Sequence, residues 1–137
     1  MIRKLDSLHR CLDRVRSHCG ASAEALIGDP DAQDIVSLNL TRAIQICVDI
    51  ALHWLSEKSS VAVPVTMSGA FDALEMHGWL SAEVVQSMKK AVGFRNVAVH
   101  AYENVNWRIV HDVCSRRLVD FEIFAQQVIA ALDLLDR

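Results

Sequence analysis

Aromatic side chains are scarce in this sequence, 6% of 137 residues, and so are the residues that punctuate turns, with five Gly and two Pro. Both shortages argue against a turn-rich sheet protein, because strands favour aromatic side chains and hairpins need Gly, Asn or Pro. Positive charge is not in excess: 14 Lys and Arg face 17 Asp and Glu, a formal net charge of −3. That balance argues against coating nucleic acid through bulk charge and leaves room for a local basic cleft. The four cysteines, Cys11, Cys19, Cys47 and Cys114, show no CxxC spacing. Reduced thiols in a cytoplasmic protein are therefore expected. The opening "MIRKLDSLHR" has no signal-peptide apolar run. The most apolar segment, "ICVDIALHWL", is broken by Asp49 and His53, so no membrane span is expected.

What is present is aliphatic periodicity. Hydrophobic residues make up 52% of the chain, enough at this length for one domain, residues 1–137, with a core that needs no staples. Leu5, Leu8, Leu12, Val15 and Cys19 recur at three- and four-residue spacing, which predicts a helix over about 2–19, stopped by Gly20. "ASAEALIGDP" reads as a connector or short turn ending at Pro30. A second helix, about 32–57, is apolar over most of its circumference and must be central. Its polar residues Arg42, Gln45, Asp49 and His53 form one narrow stripe that must meet solvent, a cleft or a partner chain. "SEKSSVAVPV" makes a loop. Thr66 and Ser81 are placed to cap a third and a fourth helix, with Gly78 ending the third. Val84, Val85, Met88 and Val92 supply the inward face of the fourth. A fifth runs from near Asn106 almost to the end, with Trp107, Val110, Val113, Cys114, Leu118, Phe121, Phe124, Val128, Leu132 and Leu135 giving its apolar pattern. The fold expected is all-α, an up-and-down bundle of four to five helices.

One stretch concentrates reactive polar groups. "RNVAVHAY" holds Arg95, Asn96, His100 and Tyr102 within eight residues. Arg95 and His100 are five apart and do not share a face of a regular helix. Arg95 and Tyr102, seven apart, share one only if the helix continues. The three converge if the helix ends or bends near His100, and "YENVN" is consistent with an end there. A surface Arg beside a capping His is the bland alternative.

"RNVAVHAY", preceded by "MKKAVGF", resembles the motif of the HEPN superfamily of small helical ribonucleases. It is most similar to the HepT-like branch, the toxin halves of bacterial toxin–antitoxin pairs. That motif is Arg, usually a polar residue, then His after four to six intervening residues, extended in the HepT-like branch to His-x-Tyr. Arg95, Asn96, His100 and Tyr102 occupy those positions without departure. The resemblance extends to "IRKLDSLHRCLDRV", "RAIQICVDIALH", "FDALEMHGWLS" and "LVDFEIFAQQV". It implies an endoribonuclease whose site is shared across a homodimer. It also implies a nucleotidyltransferase antitoxin, of the MNT type, that transfers AMP from ATP to Tyr102.

The residue types suit that chemistry. RNA carries its own nucleophile, the 2′-hydroxyl. Imidazole serves as base or acid near neutral pH, and guanidinium presents a charged fork to phosphate oxygens. This route calls for no metal and no cofactor, and its product carries a 2′,3′-cyclic phosphate. Arg95 and His100 are the expected catalytic pair. Asn96 is a support, and Asp49 and His53, one turn apart, are a candidate hydrogen-bonded pair near the cleft. Lys89 and Lys90 are candidate RNA attractors. His9, Cys11, His18 and Cys19 do not converge as four metal ligands must. The rival reading is a catalytically silent helical module that holds a nucleotide or a nucleotidyltransferase partner. The chain lacks the carboxylate pair and Gly-Ser loop expected if it transferred nucleotides itself.

Overall fold

The computed structural model describes residues 1–57 and 64–135, with side-chain placement through Ala131. The loop expected across 58–63 and the inward placement expected of Leu132 and Leu135 fall outside the described residues. The rest is helical, with no strand among the described residues. The helices are α1 (Ile2–His18), α2 (Ala23–Ile27), α3 (Pro30–Ser56), α4 (Met67–Met76), α5 (Ala82–His100), α6 (Trp107–Asp112) and α7 (Leu118–Leu135).

Helix starts follow the capping residues. Thr66 Oγ1 accepts from Gly69 N at 3.0 Å, and Ser81 Oγ accepts from Val84 N at 3.4 Å. Gly78 ends the α4 segment at φ +76°, a conformation that favours glycine. "AEALI" is the short turn of the two readings, a helical one, α2, capped by Ser22. One boundary differs from the sequence expectation. Pro30 does not close that connector; it opens α3, where Asp29 supplies the cap. A missing N–H is harmless in a first turn, which leaves those donors unpaired in any case. The expected fifth helix is also interrupted, by a π-helical turn at Val113–Arg117 between α6 and α7. There the Ser115 hydroxyl donates to the His111 carbonyl at 2.8 Å. Apolar periodicity continues across this extra residue per turn, so pattern alone does not reveal it.

The 27-residue α3 is the axis of the bundle. It packs against α1, α2, α4 and α5, while α5 also packs against α7. By length and composition α3 passes for a membrane-crossing helix, but most of its apolar residues are buried in the bundle, with Leu38 an exposed exception. Buried side chains form one cluster that includes Leu8, Leu12, Leu40, Ile44, Phe71, Met88 and Phe124. Phe71 and Phe124 meet edge to face at 5.8 Å between ring centroids. The four cysteines are buried and free. Burial raises all four thiols, Cys114 to about 12, so the thiolate is disfavoured.

Phe124→Ala is expected to cost about 3–5 kcal/mol, the range for emptying a fully buried aromatic site. Val119→Ala, on the exposed side of α7, is expected to stay within about 0.5 kcal/mol. Urea denaturation of the two variants checks both, and equal midpoints contradict the placement of this core.

Candidate active site

The motif falls on the last turns of α5 and the turn that follows. α5 stops at His100, and Ala101, with ψ 56°, leaves the helical path. A 3₁₀ turn, Tyr102–Asn104, then reverses the chain, closed by Asn104 N donating to Ala101 O at 2.8 Å and Val105 N to Tyr102 O at 3.1 Å. Asn106 caps α6, its Oδ1 accepting from Arg108 N at 3.1 Å. The helix therefore ends at His100, as the run "YENVN" suggests.

Arg95 lies on the stripe of α5 that holds Val92 and Met88, three and seven residues upstream, so its side chain starts at the edge of the core. Its Nε is buried and has no hydrogen-bond partner among the described residues. Nη1 reaches only the neighbouring Asn96 Oδ1, at 3.3 Å. A buried donor left unpaired costs on the order of 1–3 kcal/mol, more for a charged group. Such a group is a common mark of a site that awaits its ligand. Asn96 thus touches Arg95 rather than His100. His100 is exposed, and five helical residues turn it about 140° from Arg95 with a rise of about 7.5 Å. One chain does not place the two on a common face.

Tyr102 is held from a distant part of the sequence. Its hydroxyl donates to Asp34 Oδ1 at 2.8 Å, bridging the turn after α5 to the first turns of α3. Trp107 packs edge to face on the phenol at 5.6 Å. The residue as a whole keeps 38% of its surface open to solvent. Burial, then the hydrogen bond and charge of Asp34, push the phenol up to about 12. Asp34 went unnoticed in the sequence. Its one signal was position, four and eight residues before Leu38 and Arg42, which extends the polar stripe of α3 toward its N-terminus.

The Asp49–His53 pair is not made. Asp49 instead accepts from Gln45 Nε2 at 3.1 Å and lies 4.0 Å from Lys4 Nζ, while His53 Nε2 faces Glu57 at 3.4 Å. Longer-reaching partners on both sides outcompete a direct contact along the helix. Both residues also lie roughly 22 and 28 Å along α3 from Asp34, taking the helical rise per residue. The same chain's motif is therefore not supported by them. Elsewhere on the stripe, Arg42 and Gln45 line a cleft of about 380 Å³ against α1, together with Ser7, Arg10 and Asn39. Lys89 is paired with Asp72 of α4 at 3.1 Å, whereas Lys90 is exposed.

The family described as Ribonuclease HepT-like matches residues 8–128. The chain belongs to the HepT-like family. It is 33% identical over 124 residues to the mRNA nuclease HepT of Shewanella oneidensis, covering 90% of this chain and 92% of that protein. Its HepT-like fold superposes on the tri-AMPylated Shewanella oneidensis HEPN toxin in complex with MNT antitoxin, with a TM-score of 0.87 and 32% identity. That match covers 94% of this chain and 96% of the other. A toxin–antitoxin structure with AMP-PNP matches with a TM-score of 0.85, 31% identity, and coverage of 93% and 95%.

Tyr102 is the chain's one tyrosine, so phenolate absorbance reports it alone. Wild-type protein is expected to titrate near 12, and Asp34→Asn to move partway back toward 10 because burial remains. A phenol raised on folding stabilises the native chain below pH 10, and that contribution is lost as pH climbs through about 12. A wild-type titration near 10 contradicts the Asp34 contact.

Proposed function

We propose that this protein is the toxin of a toxin–antitoxin pair, a cytoplasmic, metal-independent endoribonuclease with a composite site across a homodimer. Arg95 and His100 of both chains line one RNA cleft. One imidazole takes the 2′-hydroxyl proton and the freed oxygen attacks the adjacent phosphorus. The P–O5′ bond breaks, a second imidazole protonates the leaving oxygen, and a 2′,3′-cyclic phosphate remains. The two guanidiniums neutralise charge building on the phosphate oxygens. Asn96 steers the Arg95 fork.

The observation that carries this reading is the Arg95 guanidinium, fixed at its root among core side chains with a buried donor unpaired. Phosphate oxygens suit the charge and planar fork of that guanidinium. In the proposed dimer a two-fold axis supplies, from a second chain, the imidazole that the helical spacing turns away. Likeness to a curated mRNA nuclease and to HEPN toxins seen with MNT antitoxin favours the same assignment.

Neutralisation is assigned to Tyr102. An MNT-type antitoxin transfers AMP to its hydroxyl, and the added anionic, bulky group beside the cleft competes with RNA for Arg95. The Shewanella oneidensis toxin in the matched structure is tri-AMPylated, which supports this reading.

His100→Ala and Arg95→Ala are each expected to lower RNA cleavage by about 10²-fold or more, with wild-type cleavage unchanged by a chelator. Growth arrest on expression without the antitoxin disappears in both. Wild-type cleavage by His100→Ala contradicts the proposal, and loss of all cleavage in chelator contradicts its metal-free route.

A further inference from the structure

Modification of a phenol by a nucleoside triphosphate needs a group that accepts the phenolic proton as the new bond forms. Tyr102 already donates its hydroxyl hydrogen to Asp34 Oδ1 at 2.8 Å. The contact joins residues 68 apart in sequence and involves the very oxygen that would react. We propose that Asp34 is a catalytic residue for nucleotidyl transfer to Tyr102, holding the phenol in one rotamer and accepting its proton. The proposal rests on the reading of Tyr102 as the modified residue.

The surroundings favour a fixed carboxylate over a mobile one. Asp34 follows the capped start of α3, where Asp29 Oδ1 accepts from Ala32 N at 3.1 Å. Its neighbour Gln33 is anchored to the carbonyls of Leu26 and Ile27 at 3.0 and 2.9 Å. On the other side, Trp107 backs the phenol ring, and the 3₁₀ turn fixes the Tyr102 backbone. The partly open residue leaves an approach for a triphosphate bound on a partner nucleotidyltransferase.

The step balances. The phenolic oxygen attacks the α-phosphorus of the nucleoside triphosphate, forming an O–P bond while the bond to the bridging oxygen breaks. Pyrophosphate leaves with that electron pair, neutralised by the divalent cation of the transferase. The phenolic proton passes to Asp34. A carboxylate is a weak base toward a resting phenol, but the oxygen becomes strongly acidic as phosphorus bonds to it. Protein kinases use an aspartate on their substrate hydroxyl in the same way. After transfer, Tyr102 has no hydrogen to donate, and the new phosphodiester is anionic. Once Asp34 has passed its proton on to solvent, its carboxylate repels the modified side chain.

The test is a reconstituted reaction of the full chain with its partner nucleotidyltransferase, ATP and Mg²⁺, followed by intact mass and by kcat and KM for ATP. Asp34→Asn keeps an oxygen that accepts the phenol's hydrogen bond but cannot take the proton. It is expected to lower kcat for modification by about 10²-fold or more with KM little changed, while Asp34→Glu recovers part of the rate. Thermal melting confirms that each variant is folded. Wild-type rates in Asp34→Asn overturn the role of Asp34, as does a loss confined to KM. If wild-type protein gains no mass, or Tyr102→Phe is modified equally, the underlying assignment of Tyr102 fails instead.

Discussion

Five residues separate Arg95 from His100 on an unbroken helix, and that spacing governs what a single chain can do. The guanidinium is carried on the inward stripe of α5 and the imidazole on the outward side. Along one α5 the two side chains leave the helix about 140° apart, with a rise of about 7.5 Å. In the proposed reading a second chain supplies the missing partner, so symmetry is part of that proposal rather than an embellishment of it.

The end of α5 is the second constraint. Because the helix stops at His100, Tyr102 leaves the face it would share with Arg95 and is captured by Asp34 on α3. The bundle thereby anchors a reactive phenol to its most central helix. The same bond holds the turn after the motif in place, so the proposed catalytic and modified residues sit on a braced scaffold. Glu24 and Arg108, paired at 2.8 Å, brace α2 against α6 nearby, with the guanidinium holding the Glu24 carboxyl below its usual range.

Much of this was legible in the sequence. Leu5, Leu8, Leu12 and Val15 fall inside, as their spacing requires, and Thr66 and Ser81 cap the helices they precede. The end of α5 was legible too, from the polar run after His100. What escaped depends on tertiary contact. Nothing local marks Asp34 as the partner of a tyrosine 68 residues away. The π turn at Val113–Arg117 keeps the apolar stripe going and so leaves no trace in it. Asp49 and His53 looked like partners because they are one turn apart, but Gln45, Lys4 and Glu57 offered alternatives that spacing alone does not rank. The unpaired Nε of Arg95 is likewise a property of the folded core, invisible in a motif.

Mixed dimers test the central claim most directly. Two differently tagged chains, one Arg95→Ala and one His100→Ala, are co-expressed, and the doubly tagged species is isolated and assayed on RNA. A pooled site holds one guanidinium and one imidazole in that species, so it regains part of the cleavage that each parent homodimer has lost, with water in place of the second imidazole as the acid. If the mixed dimer is as inactive as its parents, the two residues do not meet across the subunit seam, and the account is contradicted.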